Sequence, residues 1–137
     1  MGGVAAPPRR RLKVFFDGGC RPNPGRIEVA VVARGVTTFF DDLGEGTSND
    51  AEWLALRAAL EVAQALGEGP FELIGDCANV IDQANGVAKC RSPASLEHRA
   101  RFAESAAPAP PGRVRWLART QNLAGIALAR RHSEPGG

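Results

Sequence analysis

One short stretch near the start of the chain constrains the fold more than any other. Residues 14–16, Val-Phe-Phe, have the apolar character of a buried strand, and the pattern ends in Asp17. Two glycines and a Pro-Asn-Pro-Gly turn follow directly, up to Gly25. Ionised carboxylates are rarely buried unless they are paired or bound to a metal, and glycine lets a backbone or a ligand approach closely. The stretch therefore predicts a strand that ends in a functional carboxylate, followed by a glycine-rich turn.

Length and composition favour one globular domain. The chain has 137 residues, of which 44% are hydrophobic and 23% charged, and both fractions are ordinary for a protein with a hydrophobic core. We expect a single domain over residues 11–132, a disordered N-terminal lead over 1–10 and a frayed tail over 133–137. No apolar run approaches the length of a membrane span, and the N-terminus lacks the hydrophobic core of a signal peptide, so we expect no membrane partner.

The cysteines point to a reducing environment. Cys20, Cys77 and Cys90 are odd in number and have no CxxC spacing. This pattern favours reduced thiols and argues against a disulfide scaffold or a zinc knuckle. We therefore expect a cytoplasmic protein, and we expect it to be a monomer.

The net charge of +2 hides an asymmetry between the two halves of the chain. Residues 1–76 carry 8 Lys/Arg against 11 Asp/Glu, whereas residues 77–137 carry 9 Lys/Arg against 4 Asp/Glu. Most basic residues of the second half are Arg, whose planar guanidinium matches phosphate oxygens. A solvated basic surface would have the same composition, so charge alone leaves both interpretations open.

Hydrophobic periodicity and turn signals predict an α/β domain. Three strands joined by short connections should be antiparallel neighbours, and two later strands separated by helices should be parallel. The prediction is a five-stranded mixed sheet flanked by helices. We expect Asn49 or Asp50 to cap the longest helix, and Leu96 and Phe102 to face inward from a later helix. A rigid Pro-rich linker is predicted over 107–112. The predicted strands are 12–17, 27–34, 36–40, 71–75 and a fifth in which Val114, Trp116 and Ala118 alternate with Arg, and the predicted helices are 51–66, 77–84, 93–106 and 122–131.

Three acids from separate elements share a suggestive placement. Asp17 and Asp76 each end a predicted strand, and Glu52 heads the apolar stripe of the longest helix. Carboxylates brought together repel each other unless a cation lies between them. Oxygen ligands without nearby His or Cys suit Mg²⁺ or Mn²⁺. The set therefore predicts a divalent-cation site at one end of the sheet.

Four motifs in order along residues 12–130 resemble type 1 ribonuclease H, in a compact form without a long basic protrusion. The resemblance implies a ribonuclease H-like fold and hydrolysis of the RNA strand of an RNA·DNA hybrid with two divalent cations, Mg²⁺ or Mn²⁺. The motifs are Asp17-Gly18-Gly19-Cys20-Arg21-Pro22-Asn23-Pro24-Gly25, Thr47-Ser48-Asn49-Asp50-Ala51-Glu52, Gly75-Asp76-Cys77 with Val80, Ile81 and Gln83, and Asn122-Leu123-Ala124-Gly125-Ile126-Ala127.

The resemblance also implies roles for individual residues. Asp17 would bridge both metals, and Glu52 and Asp76 would complete the metal on the leaving-group side. The implied substrate contacts include 2′-hydroxyl groups, which distinguish RNA from DNA, and a DNA-strand phosphate at the helix N-terminus beside Thr47 and Ser48. The full substrate-binding set is Gly18, Gly19, Cys20, Arg21, Asn23, Thr47, Ser48, Asn49, Cys77, Arg119 and Asn122, with Lys89, Arg91 and Arg99 as further phosphate-binding candidates.

The last motif departs from the family pattern. We interpret Gly125 as the position of a fourth acid that would hold the water-activating metal, and glycine supplies no ligand. His132 and Glu134 lie nearby but lack the family spacing, so either could substitute only if the chain end folded back. Gly125 is therefore counted with the catalytic positions as a missing acid.

Three functions remain open. The first is an active ribonuclease H whose metal site is impaired or completed by water, and we favour it because the substrate-facing positions keep the family's residue types. The second is a catalytically inactive module that binds hybrids or other nucleic acid. The third is a nuclease-fold protein that acts on another nucleic acid.

Overall fold

The chain folds around a mixed β-sheet with helices on both faces. A computed structural model describes residues 11–133, so the predicted N-terminal lead over 1–10 and the tail residues 134–137 lie outside the described residues. No helix within 11–133 is both long and apolar enough to cross a membrane. The strands are β1 (Leu12–Arg21), β2 (Gly25–Ala33), β3 (Val36–Phe40), β4 (Glu45–Gly46), β5 (Phe71–Gly75) and β6 (Arg113–Trp116).

The sheet order is β3-β2-β1-β5-β6, which confirms the predicted five-stranded mixed sheet. β2 runs antiparallel to β1 and β3, whereas β5 runs parallel to β1 and β6 parallel to β5. The two-residue β4 adds to the start of β2 beside this path. The parallel register joins Phe15 to Ile74, and the same register continued by two residues brings Asp17 beside Asp76.

Within residues 11–133, four helices complete the domain, and two of them sandwich the sheet. Helix α1 (Ser48–Leu66) packs on one face over the main core, which includes Phe16, Leu56 and Leu73. Helix α4 (Leu123–Ser133) packs on the other face over a smaller cluster around Ala30. A 3₁₀ turn (Arg119–Gln121) links β6 to the last helix. The helices are α1 (Ser48–Leu66), α2 (Ala78–Ala84), α3 (Pro93–Ala106) and α4 (Leu123–Ser133).

The first strand is longer than predicted. β1 does not stop at Asp17 but continues through the glycines to Arg21, where it pairs with Arg26 of β2. Pairing with β2 satisfies the backbone groups on one edge of this segment. A Cβ atom on Gly18 would lie 2.2 Å from the carbonyl oxygen of Ala51 in α1. Gly18 therefore marks a close approach of helix to strand and not a turn.

The helix ends differ from the predictions in instructive ways. Thr47, rather than Asn49 or Asp50, caps α1, because its Oγ1 accepts from the backbone N–H of Asp50 while the Asp50 carboxylate accepts from the backbone N–H of Thr47. This reciprocal capping box satisfies two otherwise unpaired donors. The fifth strand ends at Trp116, before the predicted Ala118.

Helix α3 is rotated relative to the predicted orientation. Phe102 is buried as predicted, but Leu96 is 53% exposed. The inward face instead carries Ser95, whose Oγ accepts from Asn49 Nδ2 at 3.3 Å, and His98, whose Nε2 lies 2.9 Å from Asp50 Oδ1. These polar contacts to the start of α1, together with the stacking of His98 on Trp53, decide which face of α3 turns inward.

The close approach at Gly18 yields a stability prediction with a matched control. We expect Gly18→Ala to lower the free energy of unfolding by about 1–3 kcal/mol, because overpacking of this size must move α1 or β1. Gly19→Ala should change it little, since a Cβ atom there would meet nothing within 4 Å. Urea denaturation of both variants measures the difference, and equal stabilities would contradict the close helix–strand packing.

Candidate metal and nucleic-acid site

The three predicted acids meet at one end of the sheet. Asp17 projects from β1, Asp76 follows the end of β5, and Glu52 lies in the first turns of α1. One carboxylate oxygen from each can be chosen so that all three lie within 4.8 Å of one another. The neighbouring register of β1 and β5 accounts for the two aspartates, and the close approach of α1 at Gly18 accounts for Glu52.

Glu52 is held in place on one side only. Its Oε1 accepts a hydrogen bond of 2.9 Å from the backbone N–H of Gly18. Its Oε2 is buried and accepts no hydrogen bond from residues 11–133. The neighbouring Asp17 carboxylate can pair with Glu52 only by sharing a proton. A buried polar atom without a partner costs free energy, so this oxygen is poised for a ligand that is not part of the chain.

Asp76 is positioned by two side chains from the last part of the chain. The Asn122 amide donates to Asp76 Oδ2 at 2.9 Å and to the carbonyl oxygen of Phe16 at 3.0 Å. The indole N–H of Trp116 donates to the Asp76 carbonyl oxygen at 3.0 Å. Arg119, whose side chain is 86% exposed, places its Nε 3.9 Å from Asp76 Oδ1. Asn122 is itself fully buried, so it lies behind the carboxylates.

Burial and mutual repulsion disfavour the ionised forms of two of these acids. Burial, with the nearby charge of Asp76, raises the pKa of Asp17 to about 6. Burial, with the charge of Asp17, raises the pKa of Glu52 to about 9. Burial also raises the pKa of the Cys77 thiol, which stays neutral at the start of α2. A cation between the carboxylates would relieve this repulsion.

The residues fit a hard divalent cation. They offer carboxylate oxygens, the ligands that Mg²⁺ and Mn²⁺ prefer. One of those oxygens is buried without a partner, and the acids crowd together at a cost that a cation would offset. The charge and the donor atoms of the cluster therefore suit the predicted metal.

A cavity of about 770 Å³ opens over the carboxylates, and most of the predicted site residues line it. Asn23, Thr47 and Asn122 lie outside its lining, and so do the further phosphate-binding candidates Lys89, Arg91 and Arg99. Thr47 serves as the helix cap, and Asn23 Oδ1 accepts from Ser48 N and Cys20 Sγ. The predicted residues that line the cavity are Asp17, Gly18, Gly19, Cys20, Arg21, Ser48, Asn49, Glu52, Asp76, Cys77, Arg119 and Gly125.

Four residues that line the cavity were absent from the predicted set: Glu28, Ile126, Leu128 and Ala129. The last two lie three and four residues beyond Gly125 on α4, so helical spacing could have found them. Glu28 could have been found only from the hairpin register that places it opposite Gly19.

Gly125 lies beside two of the three acids, Asp17 and Asp76. A Cβ atom there would lie 3.4 Å from Asp76 Oδ2 and 3.6 Å from Asp17 Oδ2, which are ordinary contacts. Ile126 also lines the cavity. Neither residue can ligate a metal, and the sequence of α4 contains no acid. His132 does not reach the three acids and instead contacts Glu28, while Glu134 lies outside the described residues.

The fold and the carboxylate cluster together define a ribonuclease H-like domain, and comparison with known proteins agrees. The family model described as reverse transcriptase-like matches residues 15–132. Ribonuclease HI of Halobacterium salinarum is 37% identical over 99 residues, which cover 69% of this chain and 50% of that protein. The chain belongs to this family and is a homologue of type 1 ribonuclease H. It spans about half the length of the halobacterial relative.

Solved structures support the same assignment. RNase H1 from the halophilic archaeon Halobacterium salinarum NRC-1 superposes with a TM-score of 0.76 at 30% identity, covering 87% of this chain and 94% of that chain. LC11-RNase H1, solved in complex with an RNA/DNA hybrid, superposes with a TM-score of 0.70 at 27% identity, covering 86% of this chain and 93% of that chain.

The raised pKa values predict how stability depends on pH and on metal. The folded protein holds the two protons more tightly than the unfolded chain, in which these acids titrate near 3.8 and 4.5. Without metal, their contribution to stability is therefore greatest at acid pH, and it is lost as the pH rises through about 6 for Asp17 and about 9 for Glu52. Mg²⁺ should stabilise the protein most at alkaline pH, because it competes with those protons.

Melting temperatures measured across this pH range in EDTA and in Mg²⁺ test the prediction. Glu52→Gln should flatten the alkaline part of the metal-free profile, because the amide does not titrate. The assigned pKa directions would be contradicted if, without metal, the melting temperature of the wild type increased with pH relative to that of Glu52→Gln.

Proposed function

We propose that the domain is an endoribonuclease that hydrolyses the RNA strand of RNA·DNA hybrids with two divalent cations. The observation that carries this proposal is the buried, unpartnered Glu52 Oε2 within the cluster of Asp17, Glu52 and Asp76. Homology to type 1 ribonuclease H and the hybrid complex of LC11-RNase H1 support the substrate. The match covers only half of the halobacterial protein. We therefore propose this activity for the domain alone.

The three carboxylates would hold the cations, and the rest of the site would keep those carboxylates in position. When bound, two Mg²⁺ or Mn²⁺ ions supply an activated water and stabilise the charge that develops on the phosphate and the leaving oxygen. The Gly18 N–H fixes Glu52, and the Asn122 amide fixes Asp76. Asn122 therefore acts as a positioning residue, and its contribution is to hold the Asp76 carboxylate at the cavity wall.

The cavity wall offers suitable contacts for the RNA strand. The side-chain-free segment Gly18–Gly19 lines the cavity beside Asp17 and lets a sugar approach the backbone. Ser48 and Asn49 line it at the N-terminus of α1, where the helix dipole favours an anion. The exposed guanidinium of Arg119 would contact a phosphate close to Asp76.

A second candidate function is a binding module that does not cut. The apolar lining contributed by α4 favours it, because Gly125 and Ile126 occupy the wall where a fourth acid would complete the metal site. The two candidates share a substrate and differ in chemistry. Cleavage and binding must therefore be measured separately on the same hybrid.

Cleavage of a labelled RNA·DNA hybrid in Mg²⁺ or Mn²⁺ tests the enzyme proposal. We expect cutting by the wild type and loss of at least about 10²-fold in Asp17→Asn, because removing a shared ligand disrupts the whole cation site. Gly125→Asp or Ile126→Asp should increase the rate, because both positions line the cavity and a carboxylate there would add a ligand.

The outcomes separate the candidates. If the wild type and both acid variants bind the hybrid without cutting it, the domain is a binding module. If Asp17→Asn cuts as fast as the wild type, the metal assignment is wrong. Single-stranded RNA and an all-DNA duplex serve as substrate controls, and preferential cutting of either would favour a different nucleic acid as the substrate.

Binding of the hybrid should weaken as salt increases, because each phosphate contact releases counterions. We expect Arg119→Ala to lower the affinity and to reduce the slope of log affinity against log salt by about one unit. Arg34→Ala is the matched control, since Arg34 is also exposed but pairs with Glu68 away from the cavity. Equal slopes for the two variants would remove Arg119 from the interface.

A further inference from the structure

A fourth carboxylate lines the same cavity as the three clustered acids. Glu28 on β2 lines the cavity and pairs with Gly19 of β1. Two residues further along β2, Ala30 pairs with Asp17. Directly paired residues project from the same face of a sheet, and side chains alternate along each strand. Glu28 and Asp17 therefore share one face at diagonal positions, a separation that long side chains can span.

That face is the one covered by α4. Ala30 packs against Ala124 and Leu128, so Glu28 projects toward the wall of the cavity that α4 forms. The α4 residues in this wall are Gly125, Ile126, Leu128 and Ala129. Among residues 11–133, the cavity lining contains one carboxylate besides the clustered three, and that carboxylate is Glu28. It lies on the side of the cavity where α4 has no acid.

The Glu28 side chain is held firmly at this edge. Its Oε2 lies 2.5 Å from His132 Nε2, and its Oε1 lies 3.7 Å from Arg131 Nη1. The side chain is only 15% exposed. Opposite it, Gly19 has no side chain, and a Cβ atom there would meet nothing within 4 Å. The carboxylate is therefore oriented from behind by α4. Arg21 of β1 also approaches it, with its Nε 4.0 Å from Glu28 Oε2, and the space at the Gly19 position between them stays open.

We propose that Glu28 takes over the role of the acid missing from α4, by accepting a hydrogen bond from a water molecule of the cation on that side. This inference rests on the proposed metal-dependent function. Glu28 does not belong to the group of acids whose oxygens lie within 4.8 Å of one another. It would therefore act through one of the several waters that Mg²⁺ usually keeps, and not as a direct ligand. His132 orients the carboxylate, as outer partners orient metal ligands elsewhere.

The test measures Mn²⁺ affinity by calorimetry on the full chain without nucleic acid. Glu28→Gln keeps the shape of the side chain and removes its charge, and we expect Mn²⁺ to bind about tenfold more weakly. In the Gly125→Asp background the same substitution should cost less, because a carboxylate on α4 would already serve that side. Asp17→Asn is the positive control and should lose most of the binding.

Two matched variants separate this role from a merely structural one. Glu72→Gln removes another partly buried sheet carboxylate, which pairs with Arg115 at 3.2 Å outside the cavity. Asp41→Asn disturbs the same ion-pair network through Arg131 but leaves the Glu28 carboxylate in place. We expect both to bind Mn²⁺ as the wild type does, with circular dichroism showing that all variants are folded.

Wild-type Mn²⁺ affinity in folded Glu28→Gln would overturn the inference, and so would an equal loss in Asp41→Asn. A full loss that persists unchanged in the Gly125→Asp background would also overturn it, since Glu28 would then act independently of the missing acid. Because no nucleic acid is present, a failure to cut hybrids would count against the proposed function without affecting this result.

Discussion

The contact between Gly18 and the backbone of α1 is the constraint on which the site depends. With no side chain at Gly18, α1 can lie against β1 closely enough for the Gly18 N–H to bind Glu52. The same strand carries Asp17 one residue earlier and pairs in parallel with β5, which leads into Asp76. A single central strand therefore fixes the relative positions of all three carboxylates, and the surrounding core holds that strand rigid.

Much of this arrangement could be predicted from the sequence because it follows from local patterns. Alternating strands, one long amphipathic helix and acids at the ends of strands were sufficient to predict the sheet and the meeting of Asp17, Glu52 and Asp76. What the sequence concealed was the continuation of β1 through its glycines. Because that segment was interpreted as a turn, the pairing of Glu28 with Gly19 could not be predicted. The orientation of α3 could not be predicted either, because Ser95 accepts a hydrogen bond from Asn49 and His98 contacts Asp50, and these contacts leave Leu96 exposed.

The two sides of the site are built from different kinds of residue. On the α1 side, Glu52 is buried and fixed, and Asp76 is braced by Asn122 and by the Trp116 indole. On the α4 side, apolar residues and glycine form the wall, and the nearest charges belong to the Glu28, Arg131 and His132 group. The two walls of the cavity therefore differ in charge, with the carboxylate cluster on one side and an apolar helix face on the other.

The short connection between α2 and α3 is anchored independently at both ends. On one side the Asn85 amide donates to the carbonyl oxygen of Val114, and on the other Ser92 caps α3, which is tied to α1 through His98 and Asp50. Backbone hydrogen bonds tie Gly86, Val87 and Ala88 back to α2, so the connection can vary in length only beyond Lys89 while both helices stay in place. A compact domain of this kind could acquire a substrate-gripping extension by insertion at that point, and its carboxylates would keep their geometry throughout.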